Sequence, residues 1–200
     1  MTEALKLTFK TTFLHKPVNL TIEKDFIELT SQSKNIKFLK EEIESFRYGV
    51  KGIRGYGFYI GRIYLIEVKN KSNQVLKVTL KTLYRVRRKI LEEKYSQTVN
   101  TISRNFFHDI IYKNVQKFEE GEDFSISGFS FLKPGIALDG DKNLILWKDV
   151  GIRQYSHYFT IFSKSNQHNY KILEHKRDWN SYVIYSTVKL LLQKKGISEN

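Results

Sequence analysis

The sequence predicts a mostly β chain of the α+β class, built as two related units, each a set of antiparallel strands followed by a helix. Three observations lead there. Apolar and polar residues alternate through the first third of the chain, the pattern of half-buried strands. After Leu83 the apolar period lengthens to that of a helix. The same order of strands and then helix comes round a second time, with one tetrapeptide repeated at a matching point.

Taken in order, Leu5, Leu7 and Phe9 alternate with polar neighbours, as do Leu20 and Ile22, followed by Phe26, Ile27 and Leu29. Ile36, Leu39, Ile43 and Phe46 fit helical spacing as well as strand spacing, so this stretch stays open between the two. Phe58 to Val68 is rich in Tyr and Ile, and Gln74 to Leu80 alternates again, both signs of strand. From Val86 through Ile90, Tyr95, Val99, Ile102, Phe106, Ile110, Val115 and Phe118 the spacing predicts one long helix, or two joined near Asn105. It ends in the acidic turn Glu119–Asp123. Strand signals return at Phe124–Phe131, Leu144–Ile152 and Tyr158–Phe162. A last helix starts after Asp178 or Asn180, both good caps, and runs to Lys195 with Gly196 as its stop.

Lys71-Ser72-Asn73-Gln74 recurs as Lys164-Ser165-Asn166-Gln167. Upstream, Glu42-Ile43 leads to Tyr48, and Asp149-Val150 leads to Tyr155, the tyrosine five places after the aliphatic residue in both. This order of features points to duplication. Glu42 and Lys71 are 29 positions apart and Asp149 and Lys164 only 15, so the first half holds about 14 extra residues. They fall on the glycine-rich, aromatic segment Gly49–Arg62.

The chain has no cysteine, which excludes disulfide scaffolds and thiolate chemistry and fits a reducing, cytoplasmic setting. No secretory signal is visible, and the longest apolar stretch, Tyr182–Leu192, is too short to span a bilayer. The net charge of +13 is segregated: residues 1–115 carry 22 Lys/Arg against 11 Asp/Glu, residues 116–200 carry 12 against 10. Between Arg47 and Lys89 there are 12 basic residues and one acid, Glu67. Such a stretch attracts an anionic polymer or surface.

Within it, Gly55-Tyr56-Gly57 opens like a dinucleotide fingerprint, but Ile60 replaces the third glycine and a strand follows where a helix is required. Arg54-Gly55-Tyr56-Gly57-Phe58 fits the first five positions of the aromatic octapeptide of RNA-recognition domains, then departs at Tyr59 and Gly61. The other reading of this insertion is a long β-hairpin with an exposed basic and aromatic end. The candidate anion-binding residues are Arg47, Lys51, Arg54, Tyr56, Phe58 and Arg62. A second cluster at the start of the first helix adds Arg85, Arg87, Arg88 and Lys89. The five histidines have no metal-ligand spacing, Glu41, Glu42 and Glu44 read as exposed acids at a strand boundary, and no nucleophile elbow occurs. No catalytic residue, metal or cofactor is expected.

In the second half, Leu146-Trp147-Lys148-Asp149-Val150-Gly151-Ile152, Tyr158-Phe159 and Asp178-Trp179-Asn180 resemble bacterial proteins with tandem pleckstrin-homology-like (PH-like) domains. The resemblance implies two PH-like units, residues 1–104 and 105–200, each a bent seven-stranded sheet or open barrel closed by a C-terminal helix. It also implies a binding or scaffolding module, not an enzyme. Charge supplies the partner: an anionic membrane surface or an acidic protein, with the chain cytoplasmic and able to sit peripherally on the membrane. The alternative is RNA binding through Arg47–Arg62.

Overall fold

The computed structural model describes residues 4–9, 17–84, 86–139 and 143–199. The chain divides into two compact units, Met1–His108 and Asp109–Asn200. The boundary expected at 104/105 lies inside a π turn, Ser103–Phe107.

In the first unit, β1 (Leu5–Phe9), β2 (Val18–Ile22), β3 (Phe26–Thr30) and β4 (Asn35–Leu39) form an antiparallel sheet in sequence order. Leu20, Ile22, Ile27 and Phe38 fill its inner face, each at most 1% exposed. The stretch that fitted helix and strand equally is strand, broken by a single 3₁₀ turn, Lys40–Glu42. The Glu42 carboxylate accepts the Leu39 N–H at 2.8 Å, which closes that turn. A three-stranded sheet follows: β5 (Ile43–Gly55), β6 (Phe58–Asn70) and β7 (Val75–Leu83). Helix α1 (Arg88–Ile102) runs through the π turn into α2 (His108–Glu119). The wider π turn buries Asn105, whose amide donates to the Glu23 carbonyl at 3.1 Å. It also seats Phe107 against Phe46, ring centroids 4.6 Å apart.

The second unit repeats the order. Strands β8 (Phe124–Ile126), β9 (Phe129–Leu132), β10 (Gly135–Ala137) and β11 (Leu144–Leu146) form a four-stranded antiparallel sheet. Ser127 and Gly128 have φ of 47° and 86°, the two positive values a tight hairpin turn demands. After a 3₁₀ turn at Trp147–Asp149 come β12 (Val150–Gln154), β13 (Tyr158–Ser163) and β14 (Tyr170–Glu174), then α3 (Ser181–Lys194). Trp147 is buried, edge-on to Phe118, and its Nε1–H donates to the Leu132 carbonyl at 3.0 Å. Gly196, at φ 66°, ends α3, with the Ile197 N–H returning to the Leu192 carbonyl.

The expectation of a bent sheet or open barrel in each PH-like unit is overturned. The strands form four separate antiparallel sheets, and no barrel closes among the described residues. The physical cause lies at the two 3₁₀ turns. The ladder of β4 stops at Leu39, paired with Phe26, and the next begins at Ile43, paired with Asn70, with no strand hydrogen bonds shared across Lys40–Glu42. Leu146 and Val150 repeat the break around Trp147–Asp149. The helices are one stretch from Arg88 to Glu119 and the C-terminal α3.

The repeated tetrapeptide occupies matching places. The Lys71 N–H donates to the Glu42 carbonyl at 2.9 Å, and the Lys164 N–H to the Asp149 carbonyl at 2.7 Å. Each bond ties the turn leaving the middle strand to the 3₁₀ turn that opens the sheet.

Candidate functional site

The extra residues of the first half lengthen one hairpin. Strands β5 and β6 have 13 residues each, where β12 and β13 have 5 and 6. Strand β7 accompanies β6 only as far as Leu83, opposite Gly61. Beyond that rung, residues 54–60 continue as a two-stranded ribbon. Tyr56 and Gly57, at φ of 49° and 85°, make its turn, and the geometry leaves the Tyr56 ring wholly in solvent, at 102% exposure. Phe58 and Tyr59 beside it are exposed as well.

A register shift between Ile53 and Arg54 sets Arg54 opposite Tyr59. The Tyr59 ring lies on Gly52, where a Cβ would overlap it. The Arg54 guanidinium stacks over that ring at 5.0 Å and donates to the Tyr59 hydroxyl at 3.0 Å, so ring and cation hold each other in place. At the base of the ribbon the Tyr84 N–H donates to the Ile60 carbonyl at 2.7 Å. This bond brings in the corner between β7 and α1, whose Tyr84, Val86 and Ile90 are also exposed.

The cations divide into two sets. Arg47 Nε meets Glu67 at 2.6 Å and Lys77 meets the same carboxylate at 3.0 Å. Burial pushes the Glu67 pKa up, but Arg47 and Lys77 together outweigh it and hold the group below the ordinary carboxylate value. Arg62 and Arg88 share Glu92, at 2.9 and 3.0 Å, and the Tyr64 hydroxyl donates to it at 3.0 Å. The Arg88 hydrogen bond, ahead of the Tyr64 one, lowers the Glu92 pKa against its desolvation. Burial, with help from Glu92, raises the Tyr64 pKa. Arg47, Arg62 and Arg88 are therefore engaged inside the unit.

Lys51, Arg87 and Lys89 are exposed and make no ion pair among the described residues. Arg87 sits at the N-cap of α1 with φ 56°. Arg85 lies outside the described residues. The structure thus gathers Arg54, Tyr56 and Phe58 at the ribbon end and sets Lys51 lower on the hairpin. Sequence reading missed Tyr59, Tyr84 and Lys81. Lys81 was findable from register, since it and Lys51 both stand opposite Ile63, on either side. The RNA-type segment Arg54–Phe58 straddles the hairpin turn instead of lying along one strand, so its rings do not share a strand face as that motif requires.

Among the described residues no group of three His, Asp or Glu stands close enough to hold a metal ion. No helix is long and apolar enough to cross a membrane. No protein-family model matches the chain, and no curated protein matches it.

Proposed function

We propose that the chain is a non-enzymatic binding module that docks on an anionic membrane surface through the β5–β6 ribbon and the adjoining β7–α1 corner. The observation that carries this is the Tyr56 ring held fully in solvent at the hairpin end, with Phe58 and Tyr59 beside it and Arg54 fixed against Tyr59. The exposed rings have apolar area to bury, and Tyr59, seated on Gly52 under Arg54, has little side-chain freedom left to lose on docking. Tyrosine suits the interface because its body is apolar and its tip polar. The cations Lys51, Lys81, Arg87 and Lys89 add about 1 kcal/mol each near an anionic leaflet. Cytoplasmic leaflets, with their anionic lipids, present a surface of this kind. The repeated tetrapeptide and matching backbone bonds further support an origin of the two units by duplication, after which only the first acquired the ribbon.

The test is co-sedimentation of nuclease-treated protein with phosphatidylcholine vesicles and with vesicles also containing phosphatidylserine, at low and high salt. Salt-sensitive pelleting with the anionic vesicles alone is expected. It should be lost when Arg54–Ile60 is replaced by Asn-Gly, a change that keeps the Ile53–Gly61–Leu83 rung. Failure of the folded protein to pellet rejects the reading. Retention of single-stranded RNA that disappears with Tyr56→Ala would reassign the ribbon to nucleic acid, where each stacked base is worth about 1–3 kcal/mol.

A further inference from the structure

The two three-stranded sheets carry an arginine on the same rung and treat it differently. Counting from the tetrapeptide turn, Asn70 matches Ser163, Val68 matches Ile161, and Glu67 matches Thr160. Their partners on the first strand are then Arg47 and Arg153. In the first sheet Arg47 and Lys77 close on the Glu67 carboxylate, which is only 5% exposed. In the second sheet Thr160 stands in place of Glu67 and Ile172 in place of Lys77. Arg153 is exposed, stacks over Phe162 at 5.7 Å, and meets no carboxylate among the described residues.

A cavity of about 310 Å³ opens at this place, lined by Arg153, Tyr155, Thr160, Phe162, Lys164 and Tyr170 among others. Its shape is set in advance. Gly151 has no side chain, and the Phe162 ring lies over it where a Cβ would collide, so an aromatic surface replaces a side chain. Tyr155 is stacked on Tyr158, 4.5 Å between centroids. The Lys164 ammonium is anchored by the Ser198 carbonyl at 2.7 Å.

We infer that this groove binds a small molecule carrying an oxyanion, a carboxylate or a phosphate monoester, on an aromatic body. The oxyanion takes before Arg153 the place that Glu67 takes before Arg47, and the body lies against Phe162 and the two tyrosines. A guanidinium stacked on a ring keeps its planar fork of donors available for such a group. The volume is that of a small ligand site. The groove lies wholly in the second unit and does not depend on membrane docking by the first.

Titration of the full chain with benzoate and with phenyl phosphate, followed by amide NMR, tests this, with phenol as the uncharged control. Saturable shifts at Arg153, Thr160, Phe162 and Lys164 are expected with at least one anion, and which anion acts identifies the group. Thr160→Glu supplies the carboxylate internally and should abolish whichever titration the native chain shows. Arg153→Gln should weaken them by roughly tenfold or more, while Arg47→Gln leaves them unchanged. The inference is overturned if neither anion gives a saturable shift at millimolar concentration, if phenol matches them, or if the shifts survive Arg153→Gln. Arg153 is exposed, so that last variant decides the matter even where Thr160→Glu fails to fold.

Discussion

The sheets β5–β7 and β12–β14 open on the same 3₁₀ turn, leave their middle strands through the same tetrapeptide, and place an arginine on the same rung. They differ in hairpin length and in the residue facing that arginine. What they share is backbone: a turn, a register and one N–H to carbonyl bond. What differs is added beyond the last rung or carried by one side chain, where change does not disturb the ladder. A scaffold of this kind tolerates new surface at its hairpin end because loops and ends bear few obligatory contacts.

The strongest way to break the comparison is Gly61→Ala. A Cβ at Gly61 would run into the Thr82 carbonyl oxygen and crowd Leu83, and backbone cannot move aside as a flexible side chain can. We expect a loss of about 2–3 kcal/mol, with hydrogen-exchange protection vanishing first at Ile53 and Gly61 and the tetrapeptide end of the sheet keeping its protection. Uniform loss across β5–β7 would show that the ribbon is no separable addition.

Glu67→Ala should cost less, about 1–2 kcal/mol in urea unfolding, because Arg47 and Lys77 are exposed enough to regain water. Thr160→Ala on the matching rung should stay within about 0.5 kcal/mol. Equal losses at the two positions would mean the rung carries the same load in both sheets. The sign with pH follows from the lowered Glu67 pKa. Its contribution is complete above the unfolded value of about 4.3 and is lost as pH falls through the folded value. Glu67→Gln should therefore flatten the acid limb of the stability curve.

The alternation of Leu20, Ile22 and Ile27 was enough to read those strands, and the helical spacing from Val86 to Phe118 was enough to read the helical stretch Arg88–Glu119, while leaving open whether it was one helix or two joined near Asn105. Separate sheets were not legible: period two says that a strand is half buried and nothing about whether its ladder continues past Leu39 or Leu146. The repeated tetrapeptide was visible in the sequence, but the spacing drawn upstream of it slips at one point. Equating Tyr48 with Tyr155 ignores the irregularity between Ile43 and Ser45, which adds a residue to β5 and makes Gln154, not Tyr155, the counterpart of Tyr48. The same slip hid the match of Arg47 with Arg153. At the candidate site, Tyr56 and Phe58 stood out by composition. The engagement of Arg47 and Arg62 did not, since their acids lie 20 and 30 residues away.

The smallest effect separates the units by pH. His175 is buried in the second unit, its Nδ1 3.0 Å from the Ser181 hydroxyl and its ring stacked on Phe159. Burial, reinforced by nearby His157, holds its pKa below the ordinary value. The folded pKa is thus below the unfolded value of about 6.5, so the contribution is complete above about pH 6.5 and is lost as pH falls below it, by at most about 1.4 kcal/mol per pH unit. Among the described residues the first unit has only His108, which is exposed. Both tryptophans, Trp147 and Trp179, lie in the second unit, so their fluorescence follows that unit alone. Between about pH 7.5 and 5.5 the fluorescence midpoint should fall, and His175→Gln should remove most of that fall. A midpoint that stays level, or one that falls equally in the variant, would mean that buried His175 does not set the acid response of this unit.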